Sequence, residues 1–190
     1  MPNDTREVIQ KCLGILRQGG LILYPTDTVW GIGCDASSEQ AVKKVYDLKA
    51  RPDSKALICL VSDVAMLERF VSRVPDLAYD LIDFSTKPTT IVYDDPKGVA
   101  NNLVGIDNTL AIRVAGDSFC RQLIRAFKKP IVSTSANLAG APTPNCYAEI
   151  SGEILKGVDY IVPLKPREKS ATPSAIIRLG TDGTVKVIRE

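Results

Sequence analysis

The sequence predicts a single α/β domain over residues 1–190, with a twisted mixed parallel and antiparallel sheet flanked by helices. Two observations carry this prediction. Short apolar runs of strand length alternate with segments of helical periodicity through most of the chain. Past residue 159 the pattern becomes strand-rich, and its last two runs, 174–179 and 184–189, are joined by Gly180-Thr181-Asp182-Gly183, a hairpin connection. Alternation favours parallel pairing and the closing hairpin adds antiparallel pairing. No internal repeat, linker or low-complexity segment interrupts the 190 residues, a length that can bury a substantial core.

The elements follow in order. Asp4 and Glu7 form a capping pattern, and Val8, Ile9, Cys12, Leu13 and Leu16 recur at helical spacing until Gly19-Gly20 ends the helix. Residues 21–24 are a short buried strand stopped by Pro25, which cannot donate to a central ladder. Residues 29–34 are strand-like or irregular. Ser37 with Gln40 caps a second helix that turns Ala41, Val42, Val45, Tyr46 and Leu48 inward. It stops near Arg51, because Pro52 disfavours helical geometry in the residue before it.

Residues 56–61 are a buried strand. A short helix follows Asp63, and another begins at Pro75 with Leu77, Leu81, Ile82 and Phe84 inward. Strands at 89–93 and 109–114 enclose a polar loop at 94–108. A helix over 118–128 buries Phe119, Leu123, Ile124 and Phe127. The strand at 130–133 empties into Thr134-Ser135-Ala136-Asn137-Leu138-Ala139-Gly140. A helix near 147–155 and a strand at 159–162 precede a lysine-rich stretch, 163–173, read as a mobile loop.

Composition narrows the chemistry. The formal charge of +2 gives no general case for coating nucleic acid or a membrane surface, so a basic site must come from local clustering. No apolar run approaches the roughly 20 residues of a spanning helix, and the first residues lack the pattern of a signal peptide. Five cysteines, Cys12, Cys34, Cys59, Cys120 and Cys146, are odd in number and contain no Cys-x-x-Cys pair. Three of them lie in apolar runs and read as small buried hydrophobes, which fits a reduced cytoplasmic protein. Histidine is absent. That removes Ser-His and Cys-His pairs, imidazole bases and His-containing zinc sites together.

Polar clusters then stand out against the apolar frame. Lys49, Arg51 and Lys55 occupy one helix-to-strand connection, where a guanidinium fork and compact ammonium charges can bind phosphate or carboxylate. The competing reading is a solvated surface turn. Thr26 and Thr28 flank Asp27 directly after one strand, and Ser133, Thr134, Ser135 and Asn137 follow another. Hydroxyls and backbone N–H groups beyond strand ends can hold anionic oxygens, although the same residues also build turns and caps. Arg113 interrupts the apolar run Leu110-Ala111-Ile112-Arg113-Val114, a costly place for a charge unless it is paired, reaches a ligand or faces water. Arg189 raises the same question near the end. Gly31, Gly33 and Ala36 have the spacing of a dinucleotide fingerprint, but Pro25 breaks the preceding strand and no acid ends a second strand about 20 residues on.

Taken together, GGLILYPTDTVWGIGCDA, YDLKARPDSKALICLV, TLAIRV, PIVSTSANLAGAPTP and SAIIRL resemble, in order, the YrdC/TsaC family of threonylcarbamoyl-AMP synthases over residues 19–179. The resemblance is to its short, single-domain form. It implies a YrdC-like fold with a large concave cationic cavity and a nucleotidyltransferase activity. L-threonine, bicarbonate and ATP, with Mg²⁺ carried mainly by the ATP phosphates and no organic cofactor, would give threonylcarbamoyl-AMP and pyrophosphate. A downstream tRNA threonylcarbamoyltransferase machinery would use the product, and RNA or tRNA contact, including double-stranded RNA binding, is implied beside it.

Residue by residue, the resemblance implies catalytic roles for Lys49, Arg51 and Arg113. It implies threonine contacts from Thr26, Thr28, Arg113, Ser133, Asn137 and Ser174. Contacts to ATP would come from Lys49, Arg51, Lys55, Thr109, Ser135, Thr143 and Arg189. Ser85-Thr86-Lys87-Pro88-Thr89-Thr90 departs from the family's Trp-Pro-Gly-Pro-x-Thr and agrees only at Pro88 and Thr90, so one wall of the cavity is expected to be reshaped. The alternative function is a non-catalytic RNA-binding or translation-associated protein using the same surface; a Rossmann-type dehydrogenase is a distant third.

Overall fold

The periodic apolar residues of the first segment form helix α1 (Thr5–Arg17), burying Val8, Ile9, Cys12, Leu13 and Leu16. The computed structural model that shows this describes residues 5–50, 57–164 and 172–190. The expected loop at 163–173 lies mostly outside them, as do Arg51 and Lys55. Helices α2 (Glu39–Leu48), α3 (Val64–Phe70), α4 (Asp76–Phe84), α5 (Ser118–Phe127) and α6 (Gly152–Gly157) complete the helical layer of the described residues.

Among the described residues, nine strands build one mixed sheet: β1 (Ile22–Tyr24), β2 (Gly31–Asp35), β3 (Ile58–Val61), β4 (Thr89–Asp94), β5 (Thr109–Val114), β6 (Ile131–Ser135), β7 (Tyr160–Ile161), β8 (Ala175–Leu179) and β9 (Val185–Arg189). Their order is β7-β1-β2-β6-β3-β5-β4-β8-β9. The β1–β7, β3–β5 and β4–β8 pairs are parallel and the others antiparallel. The predicted mixed α/β sheet and its closing hairpin are therefore present.

Register fixes which side chains share a face. Gly31 and Gly33 pair with Ser135 and Ser133, Ser133 with Ile58, Ile58 with Ala111, and Ala111 with Val92. Because side chains alternate with period two, these residues line one surface of five adjacent strands. Ile32, Val132, Cys59, Ile112 and Ile91 alternate with them and join the buried residues of α1 and α5 in the apolar core.

Several boundaries differ from the expectations. Ser38, not Ser37, caps α2, its hydroxyl accepting from Ala41 N at 3.3 Å. Ser37 is committed to Asp35, bonding it through both backbone and hydroxyl. Helix α2 ends at Leu48 because Lys49 forms the C-cap and Ala50 has φ 47°, a left-handed conformation that cannot continue the helix. Helix α4 begins as expected, yet Phe84 is 80% exposed and Leu77 42%, leaving Ala78 as its buried residue. The helix packs on β4 near one end of the sheet, which covers only part of its apolar side. The segment expected as one helix near 147–155 is instead a 3₁₀ turn at Tyr147–Glu149 followed by α6. Ile150 is extended, and the Ser151 hydroxyl restarts the helix by accepting from Ile154 N. Strand β6 runs on to Ser135 because β2 continues to pair with it. Among the described residues, no helix is long and apolar enough to cross a membrane.

Candidate functional site

The shared surface of β2, β6, β3, β5 and β4 is the floor of a cavity of about 310 Å³, within the range for small-molecule sites. Thr26, Thr28, Arg113, Ser133, Ser135, Thr143, Ser174 and Arg189 all line it. Residues up to 163 positions apart thus meet around one space, as the difference between 189 and 26 shows. Lys49, Asn137 and Thr109 are not on its wall, and Arg51 and Lys55 lie outside the described residues.

Arg113 owes its position to β5, where alternation places it beside Ala111 on the cavity side. It is only 5% exposed, and its Nη1 donates to both Asp27 carboxylate oxygens at 2.6 Å. Pairing is what makes a buried guanidinium tolerable. The Asp27 carboxylate in turn needs the glycine at 116: a Cβ there would lie 2.6 Å from Asp27 Oδ2. Sequence reading named Arg113 and the Thr26–Thr28 turn separately. It missed that Asp27 joins them, although a buried arginine in search of a counter-charge was the available signal.

The hydroxyls beside this pair have a defined polarity. Thr26 Oγ1 donates its hydrogen to Val29 O at 2.8 Å and accepts from Thr28 N at 3.0 Å. A hydroxyl has one hydrogen, so in the 2.9 Å Thr26–Thr28 contact Thr28 must be the donor. Arg113 Nη2 donates to Thr28 Oγ1 at 3.4 Å. Thr28 consequently meets the cavity as an acceptor, suited to a ligand hydroxyl or ammonium rather than to another acceptor.

Lys49 takes a different place from a solvated turn. It is 1% exposed, and its ammonium donates to the Ser135 and Asn137 carbonyl oxygens, the latter at 2.7 Å. Its own carbonyl accepts from Ala139 N at 2.8 Å. The lip is also tied internally, for Ser135 Oγ donates to Asn137 Oδ1 while Asn137 Nδ2 donates to Leu138 O and Ala141 O. Lys49 and Asn137 therefore shape the lip from beneath and beside it. Thr109, on the same side of β5 as Ala111 and Arg113, spends its hydroxyl on Asp107 at 2.7 Å.

The opposite rim is made by Ser174 and Arg189. Thr90 Oγ1 and Ser174 Oγ are 2.7 Å apart, and Arg189 Nε donates to Ser174 O at 2.9 Å. Partial burial lowers the pKa of Arg189 from its ordinary value. Register shifts between Ile176 and Ile177, which pair with Arg189 and Val187. The intervening Ile188 is thus a bulge, and both Ile188 and Arg189 reach the cavity. No sequence pattern announces such a bulge, so Ile188 escaped the expected site, as did apolar Val92 and Ile176.

The glycines with dinucleotide spacing have another role. They lie inside β2, antiparallel to both neighbours, rather than in the strand-to-helix turn of a parallel βαβ unit. A Cβ at Gly31 would lie 3.1 Å from Ser133 Oγ, and one at Gly33 2.7 Å from the Tyr24 ring. Gly31 keeps the floor open, and Gly33 makes room for Tyr24. The dinucleotide fingerprint is spacing without its structural setting.

Comparison with known proteins places the chain in a family. Residues 14–190 match the Sua5/YciO/YrdC family model, described as telomere recombination. A threonylcarbamoyl-AMP synthase of Hahella chejuensis is 35% identical over 178 residues, covering 90% of this chain and 97% of that protein. Escherichia coli YciO superposes with a TM-score of 0.83 at 27% identity, covering 98% of this chain and 90% of that one. P. abyssi Sua5 complexed with L-threonine superposes with a TM-score of 0.82 at 27% identity over 94% of this chain. This chain spans only 52% of that Sua5. With its fold and nearly the whole of its length in agreement, the chain belongs to the Sua5/YciO/YrdC family.

Proposed function

We propose that this protein is an L-threonylcarbamoyladenylate synthase, a nucleotidyltransferase that condenses L-threonine, bicarbonate and ATP to threonylcarbamoyl-AMP and pyrophosphate. The observation that carries the reading is the convergence of Arg113, Thr26, Thr28, Ser133, Ser135, Ser174 and Arg189 on one cavity. The synthase relatives and the threonine-bound Sua5 support L-threonine and ATP as substrates.

Threonine amine and bicarbonate first combine with loss of water to give the carbamate. A carbamate oxygen then attacks the α-phosphorus of ATP; the new P–O bond forms as the bond to pyrophosphate breaks. The nucleophile is already an anion, so the histidine-free chain needs no imidazole base for this step. Its task is to bring anions together and stabilise the departing charge. Arg113 is assigned to the threonine carboxylate, Thr28 to the threonine hydroxyl or amine as an acceptor, and Arg189 with Ser135 to ATP. Lys49 positions the lip through its carbonyl contacts, and Arg51 and Lys55 are assigned to phosphate.

ATP would enter as its Mg²⁺ complex. Among the described residues, no group of three or more acidic or cysteine side chains could cage a metal, and Asp27 is engaged by Arg113. This donor set suits an ion held by ATP phosphate oxygens and water. The product would pass to a tRNA-modifying transferase, with RNA contact at the same surface.

The test is pyrophosphate release from ATP and bicarbonate with each amino acid in turn. Release that depends on L-threonine supports the assignment; a folded sample with no threonine dependence rejects it. A tRNA titration over a salt series reads any RNA contact separately.

A further inference from the structure

Asp27 stands behind Arg113 rather than in the cavity where substrates are proposed to bind. Arg113 lines the 310 Å³ cavity and Asp27 does not. Asp27 instead lines a second cavity of about 290 Å³, together with Gly116, Val114 and Pro88. The guanidinium therefore forms part of the partition between two spaces. One of its nitrogens, Nη1, meets both carboxylate oxygens at 2.6 Å. Its Nη2 reaches Thr28 on the first cavity's wall, while Nε and the second Nη2 hydrogen have no protein acceptor among the described residues.

This is an end-on grip and not a matched fork. It satisfies the buried charge from one side and leaves another edge of the guanidinium available for a bidentate carboxylate. We infer that Asp27 is a positioning residue for the proposed synthase, holding Arg113 by Nη1 so that its remaining edge meets the threonine carboxylate. The inference rests on the synthase reading above. Gly116 belongs to the same device, because a Cβ at this position would lie 2.6 Å from Oδ2 and displace the carboxylate.

A carboxylate on the far side of Arg113 makes a different prediction from one that merely occupies the arginine until substrate arrives. A positioning Asp27 stays paired when threonine binds, and its loss weakens binding. A competing Asp27 is displaced by threonine, and its loss strengthens binding.

The test begins with calorimetric titration of L-threonine into the wild-type protein, then into Asp27→Asn and Gly116→Ala. Failure of the wild type to bind threonine removes the synthase reading and this inference with it. With binding established, Asp27→Asn should weaken threonine affinity by about tenfold or more, the scale of a lost charged hydrogen bond. Gly116→Ala should weaken it in the same direction without changing any charge. In the pyrophosphate assay both variants should raise KM for threonine more than KM for ATP. Unchanged or tighter threonine binding in a folded Asp27→Asn protein overturns the inference alone. Should the variants not fold, nitrogen-detected NMR of wild-type Arg113 decides. Retention of the Nη1–Asp27 bonds on saturation with threonine supports positioning, and their loss refutes it.

Discussion

The Lys49 side chain ends on the main-chain carbonyl of Ser135, 86 positions further along the chain. The same ammonium reaches Asn137 O, so one cation fastens the turn after α2 to the lip after β6. A buried ammonium held by carbonyl oxygens is a structural tie as well as a charge near the site. Lys49→Met keeps much of the stem but strands those carbonyls. An unpaired buried acceptor costs about 1–3 kcal/mol. Urea unfolding should therefore show a loss of about 2 kcal/mol or more, accompanied by lower threonine-dependent turnover. A folding stability equal to that of the wild type would show that the tie is immaterial.

Arg113→Ala should abolish most threonine-dependent pyrophosphate release and also destabilise the protein. The Asp27 partner, 17% exposed, would lose its counter-charge. Breaking such a pair costs on the order of 3–5 kcal/mol. Replacing both partners in Arg113→Met/Asp27→Leu should recover part of that stability without restoring turnover. Recovery of turnover by the double variant would contradict the assigned role of Arg113.

Thiol chemistry should separate one cysteine from four. Cys12, Cys34, Cys59 and Cys120 are buried, while Cys146 is exposed. Burial pushes the Cys12 and Cys59 thiols up to about 12 and those of Cys34 and Cys120 well above their ordinary value. At pH 8 the native protein should release one equivalent of chromophore with an aromatic disulfide reagent, and the unfolded protein five. Cys146→Ser should remove the native equivalent. A second fast equivalent would mean that the core opens more readily than its packing implies.

Acid should weaken the chain through Asp107. The Thr109 hydroxyl bond, opposed by slight desolvation and joined by the Arg178 contact, lowers the Asp107 pKa below its ordinary 3.8. Because the folded value lies below the unfolded one, this stabilisation is complete above 3.8. It is lost as pH falls through the folded value. Urea midpoints measured stepwise from pH 7 to pH 3 should fall most steeply at the acid end. Asp107→Asn should make that final decline shallower. An identical pH profile would remove Asp107 from the account.

Local chemistry made much of this fold legible before its structure. The apolar spacing of Val8 to Leu16 located α1, and the run from Thr109 to Val114 matched β5. Thr26, Thr28, Arg113, Ser133 and Ser135 were identifiable because polar groups beside buried strands require partners. Their contact across the sheet was not, since it depends on the β2–β6–β3–β5 register. Asp27 could be read as a turn residue until that register brought Arg113 to it. Leu77 and Phe84 misled for the opposite reason. Helical periodicity identifies an apolar face, but only the packing partner determines how much of that face is covered.

The bulge at Ile188 gives the outermost strand a task beyond completing the sheet. Among the described residues strand β9 pairs with β8 alone, and all five of its residues are exposed, yet it delivers Ile188 and Arg189 to the cavity. An edge with so little burial belongs among the first parts of a native structure to open. Opening it removes a wall of the cavity, so a ligand that touches that wall binds the closed sheet preferentially and draws the strand into place by mass action. Occupancy of the cavity and fraying of the last strand are thereby two readings of one equilibrium, and slower amide exchange in β9 becomes a measure of how full the cavity is.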